Sequence, residues 1–249
     1  MMQRETLLNW CQENLQAAQF KDYAPNGLQV EGEKQIEKII TSVTASLAAI
    51  EFAIAQKAQM LLVHHGLFWK SEPIVITGWK KQRIAKLLAN EINLVAYHLP
   101  LDAHPKWGNN AQLAEKMGWQ CIEQIGEQNL LNIGTLPEQQ TLSLLANQLE
   151  TVLQRKPIVV GNLSGSLKKI AWCTGGAQSF FQQAIDAGVD AFITGEISEA
   201  QYHLANETGV AFISAGHHAT ERFGIQTLGE QLTKEFSLTH QFFDENNPV

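Results

Sequence analysis

Met60-Leu61-Leu62-Val63-His64-His65-Gly66 is a short apolar run that ends on two histidines and a glycine. An apolar run of this length bounded by a turn residue reads as a buried strand. The elements on either side of it set the fold. Upstream, Ile39-Ile40-Thr41-Ser42-Val43 reads as a strand and Leu47 to Lys57 as a helix. Downstream, Lys80 to Asn90 reads as a helix that feeds a strand from Leu94 to Tyr97. Alternating strands and helices favour a largely parallel sheet. Further out, Leu7, Leu8, Cys11, Leu15 and Ala18 recur at helical spacing, Pro25-Asn26-Gly27 marks a turn, and Asn109 or Asn110 caps a helix that Gly118 terminates.

The second half repeats the plan. Lys169 to Cys173 and Asp190 to Thr194 read as strands around a helix from Ser179 to Ala187, and a further strand, Val210 to Ser214, runs to Gly216-His217-His218. Ile39 to Leu61 and Ile170 to Ala191 are nearly the same span. Gly224, Leu228, Leu232 and Phe236, with Ile225, put an apolar stripe on a helix that packs back onto the sheet. Between the halves, roughly 123 to 163, Ser143 to Leu153 reads as a helix. The expectation is an α/β fold of two similar interlinked lobes, each a mixed sheet flanked by helices, with residues 1–124 in the first and 125–249 in the second.

Bulk properties narrow the function. The 249 residues are 45% hydrophobic and 17% charged, an ordinary globular balance. A formal net charge of -7 disfavours generic duplex binding, which depends on Lys and Arg displacing counterions from phosphates. Glu5 interrupts the place where a signal peptide would begin its apolar stretch, and no segment is long enough to span a bilayer, so a cytoplasmic protein is expected. Cys11, Cys121 and Cys173 lack CxxC spacing and read as small buried apolar groups.

Ligands of open α/β sheets gather beyond the carboxyl ends of the strands. His64-His65, His98 with Asp102, and His217 with Glu221 all fall there. A lone histidine at a strand end is usually a hydrogen-bonded structural residue, but several converging with carboxylates fit a metal centre. The four-residue spacing recurs: His98 precedes Asp102, and His217 precedes Glu221. A histidine pair sends its imidazoles in different directions, which suits two ions better than one, and the mixed ligand set fits Fe, Zn, Mn or Ni. The metal ligands are therefore expected to be His64, His65, Asp102, His217 and Glu221. His98 and His218 adjoin that site and either orient a ligand or meet substrate. His104, His203 and His240 lack a carboxylate at useful spacing, and the last two read as structural.

Weaker features surround this set. Phe68 and Trp69 can stack on a base, with core packing the competing fate of at least one of them. Thr174-Gly175-Gly176, after a strand and before a helix, either receives a phosphate on backbone N–H groups or only makes the turn. Thr194-Gly195-Glu196 places a carboxylate at the same rim, and His98 or Glu196 is a candidate proton carrier, with a surface or capping role the alternative for Glu196. No G-x-S-x-G elbow exists, which removes the usual serine-hydrolase reading.

Four motifs, Pro25-Asn26-Gly27-Leu28-Gln29-Val30, Val63-His64-His65-Gly66-Leu67-Phe68-Trp69, Tyr97-His98-Leu99-Pro100-Leu101-Asp102-Ala103-His104 and Gly216-His217-His218-Ala219-Thr220-Glu221, resemble the GTP cyclohydrolase I type 2 homologue family. The short bacterial YbgI-like branch is the most similar. The resemblance implies two related α/β lobes with the metal site between them, a ring-shaped homohexamer and two divalent ions per subunit, with the family ligands falling on the same five residues. For a GTP-like substrate it implies addition of water at C8 of guanine, ring opening and release of formate. A metal-dependent scaffold or regulatory protein without turnover is the alternative. An open coordination position would favour catalysis, and saturated protein ligation would favour structure.

Overall fold

The computed structural model describes residues 1–249, which form two compact units. The first comprises Met1–Gly108 and Gly224–Asn246, and the second Asn109–Phe223 and Asn247–Val249.

In the first unit, strands Lys38–Thr44, Met60–His65 and Asn93–Ala96 lie parallel and adjacent, as βαβ crossovers through helices Leu47–Ala55 and Gly78–Ala89 require. Ser46 caps the first of these helices by accepting the Ala49 N–H at 3.0 Å. Strand Thr239–Phe242 joins the sheet in parallel beside Lys38–Thr44, and Gly27–Val30 closes the other edge antiparallel. Because side chains alternate across a strand, each face receives its own core. One holds Ile39, Val43, Met60, Leu62 and Val95, and the other holds Ile40, Leu61, Val63, Leu94 and Ala96.

In the second unit, Ser166–Trp172, Ala191–Thr194 and Ala211–Ser214 are the parallel strands. Leu131–Thr141 and then Gln120–Ile125 extend the sheet antiparallel from one side, and Ile158–Val160 closes it antiparallel on the other. Helix Leu142–Leu153, capped by Thr141, buries Leu142, Leu145, Leu149 and Leu153 against Ile170, Trp172, Ile193 and Ile213. No helix is long and apolar enough to cross a membrane.

The expected repeat is present and longer than the periodicity indicates. Ile40 pairs with Leu61 in the first unit and Ile170 with Ala191 in the second, the same spacing in sequence. In both units a short strand that precedes the repeat in the chain returns as the antiparallel edge beside the third parallel strand.

Several expectations need correction. The chain divides after Gly108 and again after Phe223 and Asn246, beside an expected boundary of approximately 124/125 between interlocked lobes. The cause is the stripe of helix Arg222–Phe236: Ile225, Leu228 and Leu232 enter the core of the first unit with Leu7, Cys11 and Met60. Strand Thr239–Phe242 follows it into the first sheet. Gly27 begins a strand in place of finishing a turn. Cys121 is exposed, because nearly all of the edge strand Gln120–Ile125 is exposed, whereas Cys11 and Cys173 are buried as expected. Helix Glu199–Thr208 has no counterpart among the expected elements, although Ser198 and Gln201 form a capping box that announces it.

Candidate metal centre

Each unit carries a cluster of imidazoles and carboxylates at the carboxyl ends of its parallel strands. In the first, His64 and His65 are the last residues of strand Met60–His65, while His98 and Asp102 flank the start of the short helix Leu99–Ala103. Ligand nitrogens of His64, His65 and His98 all lie within 4.8 Å of one another, close enough to hold a metal ion, and His64 Nε2 is 3.5 Å from Asp102 Oδ1. His64 and Asp102 are buried.

The other ring nitrogen is committed at each histidine. His64 Nδ1 is 3.0 Å from the Tyr97 carbonyl oxygen, which can only accept, so the nitrogen donates, and in the neutral ring Nε2 carries the lone pair. His65 Nδ1 is 3.3 Å from Thr44 Oγ1 on the neighbouring strand. His98 Nδ1 donates to Asp22 Oδ1 at 2.7 Å. Fixing one nitrogen of a ligand imidazole fixes the direction and tautomer of the other.

Asp22 has no place in the sequence reading. It is almost fully buried and accepts from Asn26 Nδ2 and the Leu99 N–H, both at 2.9 Å, and from the Tyr23 N–H at 2.6 Å. Asn26 in turn accepts the His98 N–H at 2.8 Å, which gives the Pro25-Asn26-Gly27 motif its role. Burial would raise the Asp22 carboxyl, but His98, with donors from Asn26 and Leu99, outweighs it and holds the carboxyl down at about 2.

In the second unit His217 and Glu221 lie one turn apart, with His217 Nε2 3.2 Å from Glu221 Oε2. His217 Nδ1 donates to Glu196 Oε1 at 2.6 Å. Burial alone would lower the proton affinity of His217, but Glu221 and Glu196 outweigh it and push the imidazole up to about 10. A cation is thus favoured between His217 and Glu221, and a proton serves there when no metal does. Glu196 places Oε1 on His217 and accepts from Gln178 Nε2 through Oε2 at 3.1 Å, so it orients the imidazole.

Around the Thr174-Gly175-Gly176 turn, most of the backbone amides are already engaged. The N–H groups of Thr174, Gly175 and Ala177 go to Asn110 Oδ1, Thr220 Oγ1 and Thr194 Oγ1. What Gly175 supplies is room. Gly175 has φ +72°, and a Cβ there would collide with Glu221 Oε1, while one on Gly176 would only touch Glu196 and His217. Gly175→Ala should therefore destabilise the chain by about 1–2 kcal/mol from backbone strain alone and displace Glu221. Denaturant unfolding checks it, and an unchanged midpoint would contradict it.

The remaining histidines and the aromatic pair divide as follows. Trp69 stands edge-on to His98 at 5.0 Å and 5.8 Å from His65, beside the cluster, whereas Phe68 packs against the core under Lys80. His240 bonds Thr41 Oγ1 at 2.7 Å, a structural role as expected. His203 is structural too, but it does have a carboxylate partner, Glu199, at 2.7 Å on the exposed face of its helix. His104 accepts the Trp107 N–H at 2.9 Å and stacks on the Trp107 ring. His218 is buried, with its N–H on the Val249 carbonyl oxygen.

Residues 2–248 match the family model described as Duf34/NIF3 (NGG1p interacting factor 3). The chain belongs to the Duf34/NIF3 family. Among similar members is a Neisseria meningitidis protein named GTP cyclohydrolase 1 type 2 homolog, 63% identical over 249 residues and covering 100% of both chains. A Pseudomonas aeruginosa protein of the same name is 46% identical over 247 residues and covers 98% of each. Of solved structures, the ybgI protein, described as of unknown function, superposes with a TM-score of 0.96 at 47% identity over 100% of both chains. TTHA1606 from Thermus thermophilus does so with a TM-score of 0.89 at 32% identity, again over 100% of both. The two-lobe α/β fold is therefore a property this Duf34/NIF3 chain shares with solved members of its family.

Proposed function

We propose that this Duf34/NIF3 chain is a dinuclear metal-dependent hydrolase acting on a small, nucleotide-like substrate, and that His64, His65, Asp102, His217 and Glu221 together hold two divalent ions. The observation that carries the reading is the pinning of Nδ1. His64 and His217 both donate from that nitrogen to an acceptor, which prepares Nε2 for a cation in the way metal-ligating histidines are normally prepared. The mixed imidazole and carboxylate set fits Fe, Zn, Mn or Ni. The relatives' name supports a guanine nucleotide as the first substrate to try.

Held by these residues, such ions would supply Lewis-acid chemistry, lowering the pKa of a water towards ~7. The chain's own residues do the rest. Asp102 and Glu221 contribute the negative charge that retains the cations, Glu196 keeps His217 in register, Trp69 offers an aromatic face for a planar base, and His98 accepts a proton through Nε2.

The test is a screen of protein loaded with each metal in turn against nucleotides and other hydrolysable small molecules. Turnover that His64→Ala and Glu221→Ala abolish is the expected result, and no turnover with any metal would refute the proposal. We also propose assembly into a hexameric ring, a reading supported by the exposed edge strand Gln120–Ile125 and by the exposed Ile74 and Trp79. Light scattering on the purified chain should return six times the 27.7 kDa subunit mass, and a monomer mass would exclude the ring.

A further inference from the structure

We infer that Asp22 is a positioning residue for proton transfer: it locks His98, whose ring lies beside those of His64 and His65, with the proton on Nδ1 and so leaves Nε2 as the ring's one acceptor. This rests on the proposed hydrolysis and extends it to a residue far from every proposed ligand in sequence.

The geometry is specific. The Asp22 carboxylate is held by the Tyr23, Ala24 and Leu99 N–H groups and by Asn26 Nδ2, and its contact with His98 Nδ1 is 2.7 Å long. A carboxylate bound by that many donors is an acceptor towards the ring, so Nδ1 must donate. The backbone of His98 is fixed as well, with its N–H on Asn26 Oδ1 at 2.8 Å and its carbonyl accepting the Leu101 N–H at 2.8 Å. The ring has little freedom to turn: the His64 ring lies 5.0 Å away, the His65 ring 5.7 Å and the Trp69 ring 5.0 Å. Glu196 does the same to His217 in the second unit, so a carboxylate on Nδ1 is used twice at the ends of equivalent strands.

The step balances without a further reactant. As the water oxygen bonds to the substrate carbon, an O–H bond breaks and the proton passes to His98 Nε2. The imidazolium so formed is stabilised by Asp22. When the bond from that carbon to the leaving group breaks, the leaving group takes the proton and His98 returns to its starting tautomer.

The test reads the tautomer directly, by long-range proton–nitrogen NMR correlation of the histidine rings in the metal-free whole chain above neutral pH. Wild-type His98 should show a protonated Nδ1 and a bare Nε2. Asp22→Asn, whose amide nitrogen can face the ring as a donor, should reverse the pattern and lower turnover of the metal-loaded protein about tenfold or more. His98→Gln should lower turnover about 10²–10⁴-fold while binding as much metal as the wild type. A proton on Nε2 in the wild type would overturn the inference even if Asp22→Asn fails to fold, and an unchanged tautomer in a folded Asp22→Asn would do so too. Loss of a metal equivalent in His98→Gln would make His98 a ligand and overturn the proton-transfer role. Absence of turnover in the wild type would refute the hydrolase reading and this proton step with it, whereas the tautomer, read without metal or substrate, stands or falls separately.

Discussion

Glu221→Ala is expected to erase the stabilisation that metal gives this chain, so that metal-loaded and chelated forms of the variant melt together. An ion that binds only the folded state contributes about 4 kcal/mol when present at 1,000 times its dissociation constant. Glu221 is nearly fully buried, with Oε2 3.2 Å from His217 Nε2, and the turn at Gly175 leaves room for its other oxygen. Removing it deletes the carboxylate that favours a cation at His217 and opens a cavity of a few atoms. Glu221→Gln separates the two effects, since it keeps the volume and loses the charge. The measurement is thermal melting of wild type and both variants with and without a chelator. If Glu221→Ala keeps the full metal-dependent rise in Tm, Glu221 is not a ligand.

The second large effect falls on Asp22. Asp22→Ala removes the acceptor from the buried N–H groups of Ala24 and Leu99 and from the part-buried donors of Tyr23, Asn26 and His98 at once. Leaving a buried donor without its acceptor costs about 1–3 kcal/mol for each group so stranded. The acid dependence follows from the carboxyl being held down at about 2. A depressed folded pKa contributes stability that is fully present above the ordinary carboxylate range of ~4, and that contribution is lost as pH falls towards 2. Urea unfolding should therefore show a wide gap between wild type and Asp22→Ala at neutral pH that narrows below pH ~4. A gap that does not change with pH would mean that Asp22 acts by packing alone.

Much of this is legible in the sequence. The central strands announce themselves because they are buried on both faces, so Ile39-Ile40 and Met60 to Val63 leave no polar interruption to misread. The edge strands Gly27–Val30 and Ile158–Val160 escape because they are short and their apolar pattern is broken by the turns beside them. The swap of helix Arg222–Phe236 into the first unit is invisible for a different reason. An apolar stripe states that a helix is covered, and says nothing of which sheet covers it.

The site shows the same division. Histidines that end a strand are readable as a cluster because strand order carries them to one rim. What the sequence hides is the set of groups that aim them: the Tyr97 carbonyl, Thr44 on an adjacent strand, and Asp22 beside a motif that reads as a turn. Each becomes relevant only once the sheet order is known. Glu196 is visible in the sequence as a carboxylate at the rim, but its hold on His217 and Gln178 is not.

The interleaving of the two units bears on how the chain is made. Residues 109–223 form the second unit except for its last three residues, so a growing chain has nearly all of that unit in hand while the first still lacks Ile225, Leu228, Leu232 and strand Thr239–Phe242. The half synthesised first is therefore completed after the half that follows it. A nascent chain halted near residue 223 would present the apolar groove around Leu7, Cys11 and Met60 uncovered, the state in which a cell's chaperones would meet it.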